Sequence, residues 1–245
     1  MKRISVAKNI KIIIRGIALD LEGTVVNIEP AHHWGWIKAA AEIGVTFKSP
    51  EEAMEKCPTF SGGPERTTAE QICALIPGGA VPTEEQINAL LERKWAHYDQ
   101  LIETVDLRPR PGFLEVYGKF RKAELPVAIG TAVKLEKALP LFRQSGLDKL
   151  FTFHDVVFST DVENPKPAPD CFLKTAARMK IKPEEQLVFE DSPSGVKSGV
   201  AAGSPVVGIP VYDTTTAKQR LIDAGARRIF TDWRHIDLEE LLHSF

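Results

Sequence analysis

Two acids two residues apart close a strongly apolar run: Asp20 and Glu22 in IALDLEGTVV, residues 17–26. A second acidic pair, Glu190 and Asp191, closes another such run in QLVFEDSPSG. Between them come Thr131, which ends PVAIGT, and Lys166, in ENPKPAPD. Strand interiors disfavour Asp, and carboxylates this close raise each other's pKa unless positive charge intervenes. Either the acids point into water or they hold a cation. A hard divalent ion takes oxygen ligands and binds phosphate oxygens, and Asp20 and Asp191 can hold one. Asp20 could then approach a phosphoryl group without prohibitive repulsion. Lys166 adds charge against the phosphate oxygens, and the Thr131 hydroxyl can donate to one of them. Asp20 would attack phosphorus to give an aspartyl-phosphate. Glu22 would protonate the departing oxygen and then deprotonate the water that releases phosphate.

Each piece also has a plainer reading. DLEGT suits a strand end and turn, where Gly23 permits the tight bend. NPKPAPD suits a rigid loop with Pro at a helix start. FEDSPSG suits a turn capping the next helix. The set in this order, each member at a strand end, favours the chemical reading.

The elements that would position these groups alternate. Apolar runs at 12–20, 126–131, 155–160, 186–191 and 204–210 read as buried parallel strands, and ARRIFTD near the end offers a sixth. Helical patterns such as KLEKALPLFRQSG, APDCFLKTAARMK and SGVKSGVAAG lie between them. Alternation of this kind predicts an α/β fold with a parallel sheet flanked by helices, whose ligands sit at the carboxyl ends of the strands. From about residue 29 to 106 only helical patterns occur, with SPEE and PTEE as capped starts. The expected organisation is a core of residues 1–28 and 106–245 with a helical insert at 29–105.

The totals agree with a single compact enzyme-sized unit. Of 245 residues, 43% are hydrophobic and 26% charged, and 31 basic against 33 acidic side chains leave a net charge of −2. That balance gives no basic excess for nucleic acid. Cys57, Cys73 and Cys171 are odd in number and far apart, which argues against a disulfide framework and for a reducing compartment. The opening MKRISVAKNIKIIIRG breaks its apolar stretch with basic residues, so the expectation is a cytoplasmic protein without a membrane segment.

With DLEGT, the Thr131 after VAIG, KPAPD and FEDSPSG, the chain resembles the haloacid dehalogenase superfamily of phosphotransferases along its whole length. The resemblance implies a Rossmann-like core with a cap. A helical cap between the first two motifs is similar to the branch containing β-phosphoglucomutase and many sugar-phosphate phosphatases. It further implies Mg2+ with Asp20 and Asp191 as side-chain ligands, Glu22 contributing only its backbone carbonyl, and Glu190 acting at one remove or through water. Glu22 stands where most members have Asp. Enolase-phosphatases resemble this chain in carrying D-x-E-G-T, whereas phosphonate hydrolases and metal-free dehalogenases do not fit.

The cap offers three candidate substrate-binding residues. His32 and Trp36, in EPAHHWGW, fall where β-phosphoglucomutase-like proteins have a His and a Trp; four apart, they equally suit one packed helical face. Arg66, in GGPERTTAEQ, resembles a mutase arginine that meets a distal phosphate, or it simply begins a helix. Lys134 resembles a mutase lysine near that phosphate, although Val133 replaces the Ser or Asn usual before it, and it also reads as a solvated helix start. His33 is expected to be solvated, and Trp95, Tyr98 and Phe113 to be core. The leading function is a Mg2+-dependent phosphatase of a small phosphorylated metabolite, such as a sugar phosphate, acting as a monomer or homodimer. A phosphosugar mutase and a non-catalytic binding protein on the same fold are the alternatives.

Overall fold

The computed structural model describes residues 12–78 and 81–245. Residues 1–11, which carry most of the opening basic stretch, lie outside them. Six parallel strands form one sheet in the order β3-β2-β1-β4-β5-β6. They are β1 (Gly16–Leu19), β2 (Val127–Gly130), β3 (Val156–Val157), β4 (Gln186–Glu190), β5 (Val206–Gly208) and β6 (Arg228–Ile229). Both faces of β1, β2 and β4 are buried, which is why these segments read as continuous apolar runs instead of alternating ones. The first strand is shorter than the expected 12–20, because its ladder begins only where Gly16 meets Gln186 at the start of β4.

Helices α5 (Phe113–Lys122), α6 (Leu135–Ser145), α7 (Asp170–Met179), α8 (Pro193–Ala201), α9 (Thr215–Ala224) and α10 (Leu238–His243) belong with the sheet. They contribute to two apolar clusters, one around Phe113, Phe120, Phe189 and Trp233 and the other around Phe172, Val188 and Val196. Each such side chain taken fully out of water contributes about 1.5–3 kcal/mol.

The remaining helices, numbered here after the chain, are α1 (Glu29–Glu42), α2 (Pro50–Lys56), α3 (Glu65–Cys73) and α4 (Glu84–Ile102). They enclose their own apolar cluster of Trp36, Phe47, Phe60, Ile72, Leu90 and neighbours. Their starts are written locally. Ser49 accepts from the Glu52 amide at 3.3 Å, and Thr83 and Gln86 form a reciprocal capping box. Gly35 lets α1 approach α4 closely, since a β-carbon there would lie 3.2 Å from the Lys94 carbonyl.

The sheet reverses direction of growth between β1 and β4, with β2 and β3 added on one side and β5 and β6 on the other. At such a switch point the loops diverge and leave a crevice beyond the carboxyl ends. Leu19 pairs with Phe189, so the next residue of each strand, Asp20 and Glu190, faces that crevice together.

Candidate active site

Asp20, Glu190 and Asp191 are all buried and can each bring one carboxylate oxygen within 4.8 Å of the others. Lys166 is fixed among them. Its Nζ donates to Asp20 Oδ1 at 2.6 Å, to Glu190 Oε1 at 2.7 Å and to the Gly130 carbonyl at 2.9 Å, which uses all three ammonium hydrogens. Glu190 Oε2 accepts from the amide and hydroxyl of Ser192, both at 3.0 Å. Asp191 Oδ1 accepts from Thr24 at 3.1 Å.

Two glycines make room for this arrangement. Gly23 has φ of +81°, and a β-carbon on it would fall 2.2 Å from Asp191 Oδ2. One on Gly195 would fall 1.6 Å from Glu190 Oε1, so α8 can pass the carboxylate only with glycine there.

Two of the three carboxylates, Asp20 and Glu190, thus share one ammonium. Burial, only partly offset by Lys166 and reinforced by Glu190, raises the Asp20 pKa to about 7. Burial, with Glu29, Glu190 and Asp20, holds Asp191 well above its ordinary value. Burial opposes the charge of Lys166, yet Asp20 and Glu190 raise its pKa well above that of a free lysine. Fully ionised, the three carboxylates would exceed the Lys166 charge by two, and they are hard oxygen donors, which fits a divalent cation of the Mg2+ type.

Thr131 is buried, and its Oγ1 accepts from the Val133 amide at 3.1 Å, which leaves the hydroxyl hydrogen available to donate. Glu22 faces a cavity of about 660 Å³ between the sheet and the helical insert. Burial, then the charges of Glu29 and Asp20, raise its pKa to about 8. Its lining includes Glu22, two residues after Asp20, and Ala132 and Val133, directly after Thr131. A second hollow, of about 980 Å³, runs along Asn27, Pro30, Val105, Asp106 and residues 108–112, away from these acids.

The insert presents a second polar set. Lys94, fully buried, pairs with Glu65 and lies 3.1 Å from His32 Nδ1. It sits 3.5 Å from the Trp95 ring centre. Burial, against the pull of Glu29, lowers the His32 pKa to about 3, so the ring is neutral. An ammonium only donates, which makes Nδ1 the acceptor and assigns the ring proton to Nε2. His32, Trp36, Glu65, Trp95, Tyr98 and Lys134 all line the cavity.

Arg66 does not. Its guanidinium is half exposed and pairs with Glu70 and Glu84, while Glu65 beside it turns inward. Trp95 and Tyr98, expected as core, are cavity walls, because α4 turns that face toward the sheet; Phe113 is core. His33, expected in water, is 1% exposed. It stacks on Phe60, and its Nδ1 lies 3.0 Å from the Tyr212 hydroxyl. Its Nε2 lies 3.2 Å from Glu29. A core loop thus covers that face of α1, which helical periodicity within α1 does not reveal. Lys94 and Glu65 were not singled out in the sequence, since a lysine in ERKW and a glutamate in GPER read as surface charges.

Contacts across the cleft are already made. Lys137 of α6 lies 3.9 Å from the Trp95 ring centre, opposite in origin to Lys94, and Arg220 of α9 donates to the Pro58 carbonyl. Gly62 packs against Ser192, where a β-carbon would come within 2.4 Å.

The chain is similar to proteins of known name. Fructose-1-phosphate phosphatase YqaB of Escherichia coli is 29% identical over 196 residues, covering 79% of this chain and 95% of that protein. Hexitol phosphatase A of the same bacterium is 30% identical over 195 residues, covering 80% and 82%. Phosphoglycolate phosphatase of Escherichia coli is 28% identical over 212 residues, covering 80% and 81%. Among solved structures, a family IA, variant 3 hydrolase from Entamoeba histolytica superposes with a TM-score of 0.75 at 22% identity, covering 95% and 100%. A β-phosphoglucomutase from Clostridium difficile gives 0.69 at 17%, covering 94% and 97%. These structural likenesses speak for the fold. The sequence model of haloacid dehalogenase-like hydrolases matches residues 14–203, and this chain belongs to that family.

Proposed function

We propose that this protein is a Mg2+-dependent phosphatase of a small phosphorylated metabolite of the sugar-phosphate class, working through a phosphoryl group carried on Asp20. The observation that carries the reading is Lys166 bridging Asp20 and Glu190 inside a buried three-acid cluster that adjoins a cavity through Glu22. The phosphatase names of the sequence relatives support it.

In this reading Asp20 and Asp191 would hold the metal by their side chains, with the Glu22 carbonyl and Glu190 contributing. The ion supplies the charge that lets a phosphate enter among carboxylates. Lys166 holds Asp20 in place through Oδ1 and gives its charge to the phosphate oxygens, while the Thr131 hydroxyl donates to one of them. Asp20 attacks phosphorus and the ester oxygen leaves. Glu22, facing the cavity where that oxygen sits, gives it a proton and then takes one from the water that attacks the phosphoaspartate. The 29–105 insert acts as the cap that surrounds the leaving group, with His32 Nε2–H and Lys134 as contacts. The free, buried cysteines fit a cytoplasmic setting.

Lys134 at the cavity wall keeps a mutase reading in play. Against it, Arg66 is tied to Glu70 and Glu84, and Glu65 would repel a second phosphate. Phosphate release from a panel of phosphorylated metabolites, with and without Mg2+, separates the two when run beside conversion of β-glucose 1-phosphate to glucose 6-phosphate. Mg2+-dependent release supports the phosphatase; isomerisation without release overturns it.

A further inference from the structure

Arg110 lies in the linker that returns the chain from the helical insert, RPRPG at residues 108–112. It is 9% exposed, and its side chain ends among carbonyls. Nη1 donates to Gly23 at 2.6 Å and to Ile209 at 2.9 Å. Nη2 donates to Pro210 at 3.0 Å and to Thr231 at 3.4 Å. The Arg110 amide donates to the Val25 carbonyl at 2.7 Å, and Pro109 bridges Val26. One residue fastens three distant pieces of chain: the turn after β1, the segment after β5 and the stretch after β6.

Stripping water from a guanidinium is costly unless its donors are matched. Among the described residues no carboxylate lies at salt-bridge distance from it; its planar fork is matched by carbonyls alone. A buried charge kept this way has a use that an apolar side chain of the same volume lacks, since only a multiple donor can collect carbonyls from separate segments. The turn it grips carries Glu22. Gly23, whose carbonyl it holds, packs its α-carbon against Asp191, and Trp233 Nε1 donates to the next carbonyl, that of Thr24, at 3.1 Å. The turn is therefore held at consecutive peptides, and one of the holders sits on the linker that joins the insert to the core.

We propose that Arg110 is a positioning residue for Glu22: it fixes the turn after β1 so that the Glu22 carboxyl is aimed at the leaving-group oxygen, and it does so from the linker on which the insert is hung. The inference rests on the phosphatase reading above. It predicts a dependence on the leaving group. An alkoxide must be protonated as it departs, whereas 4-nitrophenolate leaves without help, so misplacing Glu22 harms the first and spares the second.

The test is single-turnover release with Mg2+, using the full chain, of 4-nitrophenolate from 4-nitrophenyl phosphate and of the alcohol from the sugar phosphate that wild type cleaves fastest. In Arg110→Met the sugar phosphate rate falls by about 100-fold while nitrophenolate release stays within about threefold. Arg110→Lys, which keeps the charge but reaches fewer carbonyls, gives the same pattern with a smaller loss, and carries the test alone if the Met variant does not fold. Parallel losses for both esters, or no loss for either, overturn the role of Arg110 while leaving an active phosphatase. Wild-type protein that cleaves neither ester overturns the phosphatase reading, and this role with it.

Discussion

The rim of the sheet and the wall of the insert face each other across one cavity but are built on different terms. On the rim, Asp20, Glu190 and Asp191 sit at strand ends whose places the parallel ladder dictates, and Lys166 joins two of them. On the wall, Lys94, Glu65 and His32 come from three helices, and each has chosen among several neighbours. The rim carries excess negative charge that calls for a cation. The wall has already settled its charge internally, one buried ammonium against one carboxylate, with aromatic rings around it. Under the proposed function, the reaction would stay on the rigid frame and the choice of substrate would fall to a set of side chains that can be re-paired.

The sharpest way to break this contrast is Asp20→Asn, which should lower turnover by at least about a thousand-fold with the fold intact. Retained phosphate release would mean that the rim does not hold the nucleophile. Lys94→Met comes next. Losing the ammonium strands Glu65 and the His32 acceptor, so KM should rise about tenfold or more and stability should fall by about 1–3 kcal/mol. A kcat loss with KM unchanged would place Lys94 with the reaction instead of with substrate choice.

A third probe is Glu29→Gln in metal-free protein. Burial pushes the Glu29 pKa up, but the His33 hydrogen bond, joined by Lys94 and, in acid, by the imidazole charges of His33 and His32, outweighs it and brings it to about 2. A depressed carboxyl stabilises the fold above its unfolded pKa, and that contribution is lost as pH falls from about 4.5 through about 2. The variant should therefore be measurably less stable at pH 7, with the gap closing over that window in denaturant titrations. A gap that persists at pH 2 would assign the loss to packing. Arg66→Ala should do least, leaving stability unchanged and kcat/KM within about threefold, since exposed ion pairs contribute little. A tenfold rise in KM would show that Arg66 swings inward with substrate, and the two-sided picture would need a moving member.

What the chain discloses on its own follows the same division. The meeting of Asp20, Lys166, Glu190 and Asp191 on one rim, with Thr131 at a neighbouring strand end, was legible because each lies at the end of an apolar run or in a proline-marked loop, and a parallel sheet gathers strand ends without further instruction. The six strands were legible for the same reason, although β3 shrinks to Val156–Val157 in a run read as 155–160. The wall was not. Nothing within ERKW says that Lys94 is fully buried, because its burial depends on Glu65 and Trp36 from other helices. His33 failed likewise through Tyr212, 179 positions away. Arg110 has no local signature either, since its partners are carbonyls that every residue possesses.

The strand that bears Asp20 also sets a timetable for the growing chain. Ile17 pairs with Val127 on one side and with Leu187 on the other. At synthesis rates of roughly 5–20 residues per second, Ile17 waits on the order of ten seconds for its first partner, and several seconds more for its second. Helices α1 to α4 close their own cluster from residues made within that interval. Short-range contacts form before long-range ones can repay their loop closure. The insert therefore takes shape while the central strand is still single, and the nascent chain must keep residues 16–19 from meeting another copy of themselves until the sheet arrives.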